Sequence, residues 1–260
     1  MIAELSSKKI HYLDSGKGGV IVLLHGFLES SFIWKSLSKK LSDKYRIINI
    51  DLPGHGASDE LGSDISIDHM AKKVIALLKS LSINKAQVIG HSMGGYVGLA
   101  LLEEDPERVE QLILLHSKAG EDAPETKLKR DQGMEMIRQH PSLFVKEGLN
   151  NLFWKERAGL FKTQIDDLVL DAERNNYKGY IEALEAMKNR PDRRSLLKKF
   201  NNIVFIAGRH DPVIPYNISQ LEMEMLASGS HNTLEMSGHM GFIEEKEKLE
   251  KLIDEVLISA

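Results

Sequence analysis

The sequence of 260 residues contains no cysteine. A chain without cysteine can form no disulfide framework, no thiol nucleophile and no cysteine-ligated metal centre. It also lacks long apolar runs: the longest early one, residues 20–24, is far too short to span a bilayer. The first nine residues lack the basic-then-apolar pattern of a signal peptide. We therefore expect a cytoplasmic protein that does not associate with membranes, and we predict neither a metal site nor a cofactor.

Strong charge bias is absent as well. The net charge is −4, and lysine and arginine form no block or stripe along the chain. Because nucleic-acid binding proteins carry clustered basic residues, the sequence argues against a nucleic-acid partner. It carries no signal for an oligomeric state. The length favours one large domain with an insertion over two independent domains.

Short runs rich in isoleucine, valine and leucine alternate with helical patterns. The strand-like runs are 20–24, 45–50, 86–89, 112–115 and 203–207, and the helical patterns between them are 31–41, 67–81 and 93–104. Such alternation predicts an α/β fold with a mostly parallel central sheet. Residues 3–6 and 9–13 resemble an antiparallel pair at one edge of that sheet. A final helix is expected at about residues 244–258.

Residues 118–199 differ in character from the rest of the chain. They contain no strand-like run, and their patterns are helical, with prolines between them. We interpret residues 118–199 as an all-helical cap inserted into a core that consists of residues 1–117 and 200–260.

One short motif stands out, Gly90-His91-Ser92-Met93-Gly94-Gly95. It lies between a strand-like run and a helical stretch, which is the context of a nucleophile elbow. Glycines leave room where the chain doubles back, because they have no Cβ. The motif predicts that Ser92 is a nucleophile on a strained turn, beside the partly positive start of a helix.

A serine hydroxyl needs a base, commonly a histidine that a carboxylate orients. His239 follows the strand-like run 233–236, and Asp211 follows the run 203–207. Both therefore fall at the carboxyl edge of the predicted sheet, where catalytic groups collect in open α/β sheets. His210 lies at the same edge and is a weaker candidate for the base.

The chain resembles the capped α/β-hydrolases that use a serine nucleophile, a group that includes small-molecule esterases and carbon–carbon bond hydrolases. The segments that carry the resemblance are His25-Gly26-Phe27, Asp51 to Ser58, Gly90 to Gly95, Gly208-Arg209-His210-Asp211 and Gly238-His239-Met240. The resemblance implies that Ser92 is the nucleophile, His239 the base and Asp211 the orienting acid. It further implies that the backbone N–H groups of Phe27 and Met93 form the oxyanion hole.

Two alternatives for the acid stay open. Some members of this group place their acid where Asp122 lies, whereas Asp51 precedes the nucleophile and is a poor candidate. Glu244 has a counterpart in many relatives, and here we expect it to begin the last helix. A serine nucleophile also disfavours dehalogenase and epoxide hydrolase activity, which require an aspartate.

The substrate is expected to depend on the cap. Apolar side chains of the cap either line a pocket or form the cap's own core; they are Phe144, Leu152, Phe153, Trp154, Leu160 and Phe161. We single out Phe153 and Trp154 as candidate substrate-binding residues. Arg190, Arg193 and Arg194 are expected either to meet an anionic substrate or to be solvated.

The resemblance favours hydrolysis of a small carboxylic ester or thioester through an acyl-enzyme. The alternatives are a carbon–carbon bond hydrolase or lyase with the same triad, and a non-catalytic ligand receptor.

Overall fold

The computed structural model describes residues 1–5 and 8–258, and its centre is a sheet of eight strands. The strands are β1 (Ile2–Leu5), β2 (Lys8–Ser15), β3 (Val20–Leu24), β4 (Arg46–Ile50), β5 (Ala86–His91), β6 (Val109–Leu115), β7 (Ile203–Gly208) and β8 (His231–Leu234). Their order is β1-β2-β4-β3-β5-β6-β7-β8. The β1–β2 and β2–β4 pairs are antiparallel and the other neighbours are parallel. The predicted α/β class with a mostly parallel sheet is confirmed.

Helices cover both faces of this sheet and fill the insertion. They are α1 (Lys35–Leu41), α2 (Ile67–Ser80), α3 (Met93–Glu104), α4 (Pro124–Gln139), α5 (Pro141–Asn150), α6 (Lys162–Ala172), α7 (Tyr177–Lys188), α8 (Arg194–Lys199), α9 (Tyr216–Met223), α10 (Gly241–Glu244) and α11 (Lys246–Val256). Short 3₁₀ turns occur at Ser31–Trp34, Pro106–Arg108 and Ala158–Phe161. None of the helices in residues 1–5 and 8–258 is both long and apolar enough to cross a membrane.

The central strands are buried along their whole length. All six residues of β5 and all six of β7 are buried, and so are four of the five residues of β3. Parallel strands covered by helices on both faces show no alternation of apolar and polar residues, which explains the unbroken apolar runs of the sequence. The parallel strands therefore form a rigid core whose carboxyl ends share one edge.

Every element between β6 and β7 is helical, from α4 to α8. Two of these five helices begin with a proline at the first helical position, Pro124 and Pro141. Proline suits this position because its missing N–H would have no partner there and its φ is already helical. The helical patterns of this stretch, 126–139, 143–153, 165–175 and 180–188, correspond to α4 to α7. The helix α8 has only six residues and was not predicted.

Several boundaries differ from the predicted ones. β8 begins two residues earlier than the run 233–236, and α9 was not predicted. The expected last helix, 244–258, is two helices, α10 and α11, because the chain leaves helical geometry at Glu245 (φ −134°, ψ 47°). The antiparallel pair at the edge is β1 and β2, and part of its predicted turn, residues 6 and 7, lies outside the described residues.

Candidate active site

Ser92 occupies a sharp turn between β5 and α3. Its backbone has φ 49° and ψ −113°, a conformation that costs a non-glycine residue about 1–3 kcal/mol. Close backbone contacts enforce this turn: a Cβ on Gly90 would lie 2.5 Å from the carbonyl oxygen of Gly94, and a Cβ on Gly94 would collide with that of Leu24. The glycines of the motif are therefore required by backbone packing, and the turn presents Ser92 at the carboxyl edge of the sheet.

His239 and Asp211 are hydrogen-bonded to each other on neighbouring loops. The distance from Nδ1 of His239 to Oδ2 of Asp211 is 2.7 Å, and both residues are buried. The other carboxylate oxygen, Oδ1, accepts the N–H groups of Val213 at 2.8 Å and Ile214 at 2.9 Å. Burial alone would raise the pKa of Asp211, but the interactions of the carboxylate with His239 and His116 together outweigh burial and hold that pKa well below its usual range. An ionised carboxylate can only accept, so His239 carries its proton on Nδ1.

Ser92 and His239 line one cavity of about 140 Å³. The other lining residues are mostly apolar and come from the core and the insertion; they are Phe27, Leu28, Glu29, Tyr96, Arg130, Phe144, Gly148, Leu152, Met187 and Val213. A small, mainly apolar cavity with a few polar groups is typical of a small-molecule site. The insertion thus supplies a wall of the cavity that contains Ser92.

The backbone N–H groups of Phe27 and Met93 are the candidates for an oxyanion site. Phe27 follows β3, and Met93 is the first residue of α3. Neither N–H takes part in a hydrogen bond within the described residues. His25 fixes the loop before Phe27, because its Nε2 accepts the N–H of Leu52 at 2.9 Å and its Nδ1–H donates to the carbonyl oxygen of Gly26 at 2.7 Å. His25 therefore shapes this turn.

A second buried acid–histidine pair lies beside the first, and sequence reasoning missed it. Oε2 of Glu29 lies 2.9 Å from Nδ1 of His91, and Nε2 of His91 lies 2.9 Å from the carbonyl oxygen of His239. Burial alone would raise the pKa of Glu29 and lower that of His91. The partner's charge and the hydrogen bonds to each group together outweigh burial, so the pKa of Glu29 is lowered and that of His91 is raised. Both ring nitrogens of His91 face acceptors, which fits a protonated imidazole.

His116 is a further buried histidine next to Asp211. Its Nδ1 lies 3.5 Å from Oδ2 of Asp211, yet neither ring nitrogen makes a hydrogen bond within the described residues. Burial lowers its pKa to about 4. His116, Asp211 and His239 offer ligand atoms within 4.8 Å of one another, a spacing that would suit a metal ion. In the structure, however, His239 donates its Nδ1–H to Asp211, so a metal would have to displace that hydrogen bond.

Asp122, the alternative acid, lies in a different cluster. Its carboxylate receives the Nε–H of Arg130 and lies 2.9 Å from Nη2 of Arg190 and 3.3 Å from Nζ of Lys118. Burial would raise its pKa, but these arginines hold it well below the usual range. The structure therefore pairs His239 with Asp211 and not with Asp122.

Of the two alternatives for the three arginines, an anionic substrate or solvent, solvation does not hold for Arg190 and Arg193. Arg190 is buried against the ring of Tyr96, with its guanidinium carbon 4.0 Å from the ring centroid. Arg193 is buried and binds Asp68 and Glu103. Only Arg194 is largely exposed, and it pairs with its neighbour Asp192. Protein carboxylates or aromatic rings thus occupy all three guanidinium groups.

Phe153 and Trp154 are not among the residues that line the cavity, contrary to our expectation. Phe153 stacks on Phe161 with ring centroids 5.9 Å apart, and Trp154 stacks on His210 at 3.7 Å. Both side chains therefore pack against other aromatic rings of the protein. His210 is therefore engaged with Trp154, and it is not among the residues that line the cavity of Ser92.

Glu244 does not begin the last helix. It ends α10, and its carboxylate accepts the N–H groups of Trp154 and Gly238 at 2.9 Å and of Met240 at 3.2 Å. These bonds fix the loop that carries His239 and tie it to the insertion. The expected role was wrong because the helix breaks at the next residue.

Comparisons with known proteins agree with this geometry. The chain matches the family described as alpha/beta hydrolase fold over residues 19–246. It is 26% identical to an uncharacterized hydrolase, YugF, of Bacillus subtilis over 88% of this chain and 86% of that protein. It is 25% identical to a 2-hydroxy-6-oxononadienedioate/2-hydroxy-6-oxononatrienedioate hydrolase of Burkholderia vietnamiensis over 99% of this chain and 93% of that protein.

Solved structures give the same result. A thermophilic esterase from Thermogutta terrifontis superposes with a TM-score of 0.90 at 25% identity, over 95% of this chain and 92% of that one. The family match spans most of the chain and both parts of the sheet that flank the insertion. The protein therefore belongs to the α/β-hydrolase fold family.

Proposed function

We propose that this α/β-hydrolase cleaves a small carboxylic ester or thioester through an acyl-enzyme on Ser92. One observation carries the proposal: the strained Ser92 and the Asp211-bound His239 line the same cavity. This combination is the arrangement by which a serine hydroxyl is activated for attack on a carbonyl carbon. The esterase from Thermogutta terrifontis, which shares the fold, is a precedent for that chemistry.

In the first half-reaction Nε2 of His239 takes the proton of Ser92 as Oγ attacks the carbonyl carbon. The N–H groups of Phe27 and Met93 stabilise the resulting oxyanion, and His239 then protonates the departing alcohol or thiol. In the second half-reaction His239 takes a proton from water, which attacks the acyl carbon; the bond to Oγ then breaks, His239 returns the proton to Oγ, and the acid is released. Asp211 keeps His239 in the required tautomer and stabilises the imidazolium.

The cavity size supports a short acyl group. Its volume of about 140 Å³ is close to that of an engineered apolar cavity of about 150 Å³ that holds one benzene molecule. In this proposal residues 118–199 act as the cap, since Phe144, Leu152 and Met187 close the cavity from the insertion. These three residues replace Phe153 and Trp154 as the candidate determinants of acyl size.

A carbon–carbon bond hydrolase is the second candidate. It is favoured by the similarity to the hydrolase of Burkholderia vietnamiensis, which extends over 99% of this chain. The same serine, histidine and aspartate would serve, with a carbon leaving group in place of an alcohol.

A panel of p-nitrophenyl esters of increasing acyl length separates the candidates. Ester hydrolysis predicts turnover of the short members, with a burst of p-nitrophenol when deacylation is slow. Failure on every ester, together with cleavage of a vinylogous diketone, would favour the second candidate. Binding without turnover of either class would instead indicate a ligand receptor.

A further inference from the structure

One basic side chain of the insertion reaches the cavity that contains Ser92. Among the described residues that line this cavity, Arg130 is the single arginine or lysine, and it lies on α4. Its side chain is mostly buried, with 16% of its surface exposed. A guanidinium that borders a mostly apolar cavity requires a structural or a ligand-binding explanation, because burying a charge is costly.

Only one of the N–H donors of the Arg130 guanidinium is hydrogen-bonded to another side chain in the described residues. Nε–H of Arg130 donates to Oδ2 of Asp122. Within the described residues, no hydrogen bond involves its Nη1 or Nη2 groups. Arginine presents its donors in a rigid planar fork that matches both oxygens of a carboxylate. Arg130 thus keeps a pair of donors for a planar anion.

The charge balance around Arg130 also favours an anion. Arg130 shares Asp122 with two other cations, Arg190 at 2.9 Å and Lys118 at 3.3 Å. The nearby carboxylate of Glu222 is occupied by the N–H groups of Ala119 at 2.6 Å and Gly120 at 2.8 Å. The other charged groups beside them form balanced pairs, Lys127 with Glu121 and Arg194 with Asp192. Apart from those pairs, three cations face two carboxylates in this cluster.

The other acid of the cavity does not cancel this excess. Glu29 is the one carboxylate among the described residues that line the cavity, and its charge is balanced by His91 at 2.9 Å. An anion bound at Arg130 would therefore not meet an unpaired negative charge in the cavity.

A larger groove of about 680 Å³ adjoins the cavity, and Tyr96, Arg130 and Val213 line both. Arg130 therefore lies at the border between the small cavity and the groove. A substrate whose ester carbonyl lies at Ser92 would carry its far end to this position.

We propose that the acid part of the substrate ends in a second carboxylate, which Arg130 binds through its Nη groups. The substrate class is then a monoester of a short aliphatic dicarboxylic acid. This inference rests on the proposed ester hydrolysis and names the acid that is esterified. No chemical step is added, because Arg130 only binds and orients the distal carboxylate.

Matched pairs of methyl esters test the inference. Methyl hydrogen succinate, glutarate and adipate are compared with methyl butanoate, pentanoate and hexanoate, which have the same chain length but end in a methyl group. A hydrogen bond to a charged group is worth about tenfold to a hundredfold in binding. We expect kcat/KM to favour the charged member of at least one pair by that factor, mainly through KM.

Arg130→Gln should abolish this preference, and Arg130→Lys should retain part of it because the charge stays but the planar fork is lost. Lys129→Gln is the control: Lys129 is exposed on the same helix and lines neither the cavity nor the groove, so the preference should persist. Equal rates on both members of every pair, or a preference that survives Arg130→Gln, would overturn the inference.

Binding to Ser92→Ala, measured by calorimetry, separates this inference from the proposed function. If no ester is hydrolysed, the proposed function fails, but tighter binding of methyl hydrogen glutarate than of methyl pentanoate, lost on Arg130→Gln, still supports the carboxylate site. Equal binding of both esters in Ser92→Ala would overturn it independently of turnover.

Discussion

Oδ2 of Asp211 lies 2.7 Å from Nδ1 of His239, and Oδ1 of the same carboxylate is occupied by two backbone N–H groups. The carboxylate therefore cannot rotate freely, and it fixes both the orientation and the tautomer of His239. The proton sits on Nδ1, so Nε2 keeps the lone pair that a base requires.

An amide in place of this carboxylate fixes the wrong tautomer and does not stabilise the imidazolium. In serine proteases the equivalent change costs about 10⁴ in kcat. We expect Asp211→Asn to lose about three to four orders of magnitude in kcat on p-nitrophenyl acetate. Asp122→Asn is the matched comparison and should lose less than about tenfold, since Asp122 contacts cations rather than His239. The reverse order of the two variants would show that Asp122 is the acid.

The pair of Glu29 and His91 predicts a specific pH dependence of stability. The pKa of His91 is raised, so its contribution is fully present below the ordinary histidine pKa of about 6.5 and is lost as pH rises through the raised value. Removing one partner of a buried ion pair costs about 3–5 kcal/mol. We expect Glu29→Gln to lower the free energy of unfolding most at about pH 5.5–6.5, and progressively less at alkaline pH.

Urea unfolding at several pH values between about 5.5 and 9 measures this difference. Glu125→Gln is the control, because Glu125 is exposed and its substitution should change little at any pH. A destabilisation by Glu29→Gln that is constant with pH would contradict a charged pair.

Substituting a glycine of the turn at Ser92 should lower the free energy of unfolding. Gly90→Ala puts a Cβ about 2.5 Å from the backbone of Gly94, and backbone cannot move aside as a side chain can. We expect a loss of more than about 2 kcal/mol in thermal or urea unfolding. At Gly159 an added Cβ meets no atom within 4 Å, so Gly159→Ala should be neutral or stabilising by up to about 1 kcal/mol. Equal effects at both positions would show that packing does not enforce the turn.

Enlarging the cavity from the cap should change acyl preference. Met187 is buried and lines the cavity, so Met187→Ala should shift the best p-nitrophenyl ester to a longer acyl chain. The side chain of Leu160 belongs to the same insertion but is 72% exposed, so Leu160→Ala should keep the original ranking. A uniform loss on all esters in Met187→Ala would indicate a folding role instead.

Local patterns in the sequence were enough to predict the sheet, the elbow and the placement of Asp211 and His239. This worked because parallel strands bring residues at their carboxyl ends to one edge. Glu29 and His91 are 62 positions apart, and no local pattern reports that they pair across that distance. The positions of Phe153, Trp154 and Arg130 could not be predicted from local patterns either. An aromatic residue or an arginine can lie in a pocket, in a core or at a surface, and the packing of the helices within the insertion decides which. Glu244 was misplaced because the N–H groups that its carboxylate accepts, those of Trp154 and Gly238, lie on two separate loops distant in sequence.

The central claim is that Ser92 forms a covalent acyl-enzyme, and the intact mass after treatment with a fluorophosphonate probe tests it most directly. The wild-type protein should gain one adduct, mapped to Ser92 by peptide analysis, and Ser92→Ala should gain none while keeping its melting temperature. An adduct on Ser92→Ala, or a wild-type adduct mapped to another serine such as the neighbouring Ser117, would contradict the account.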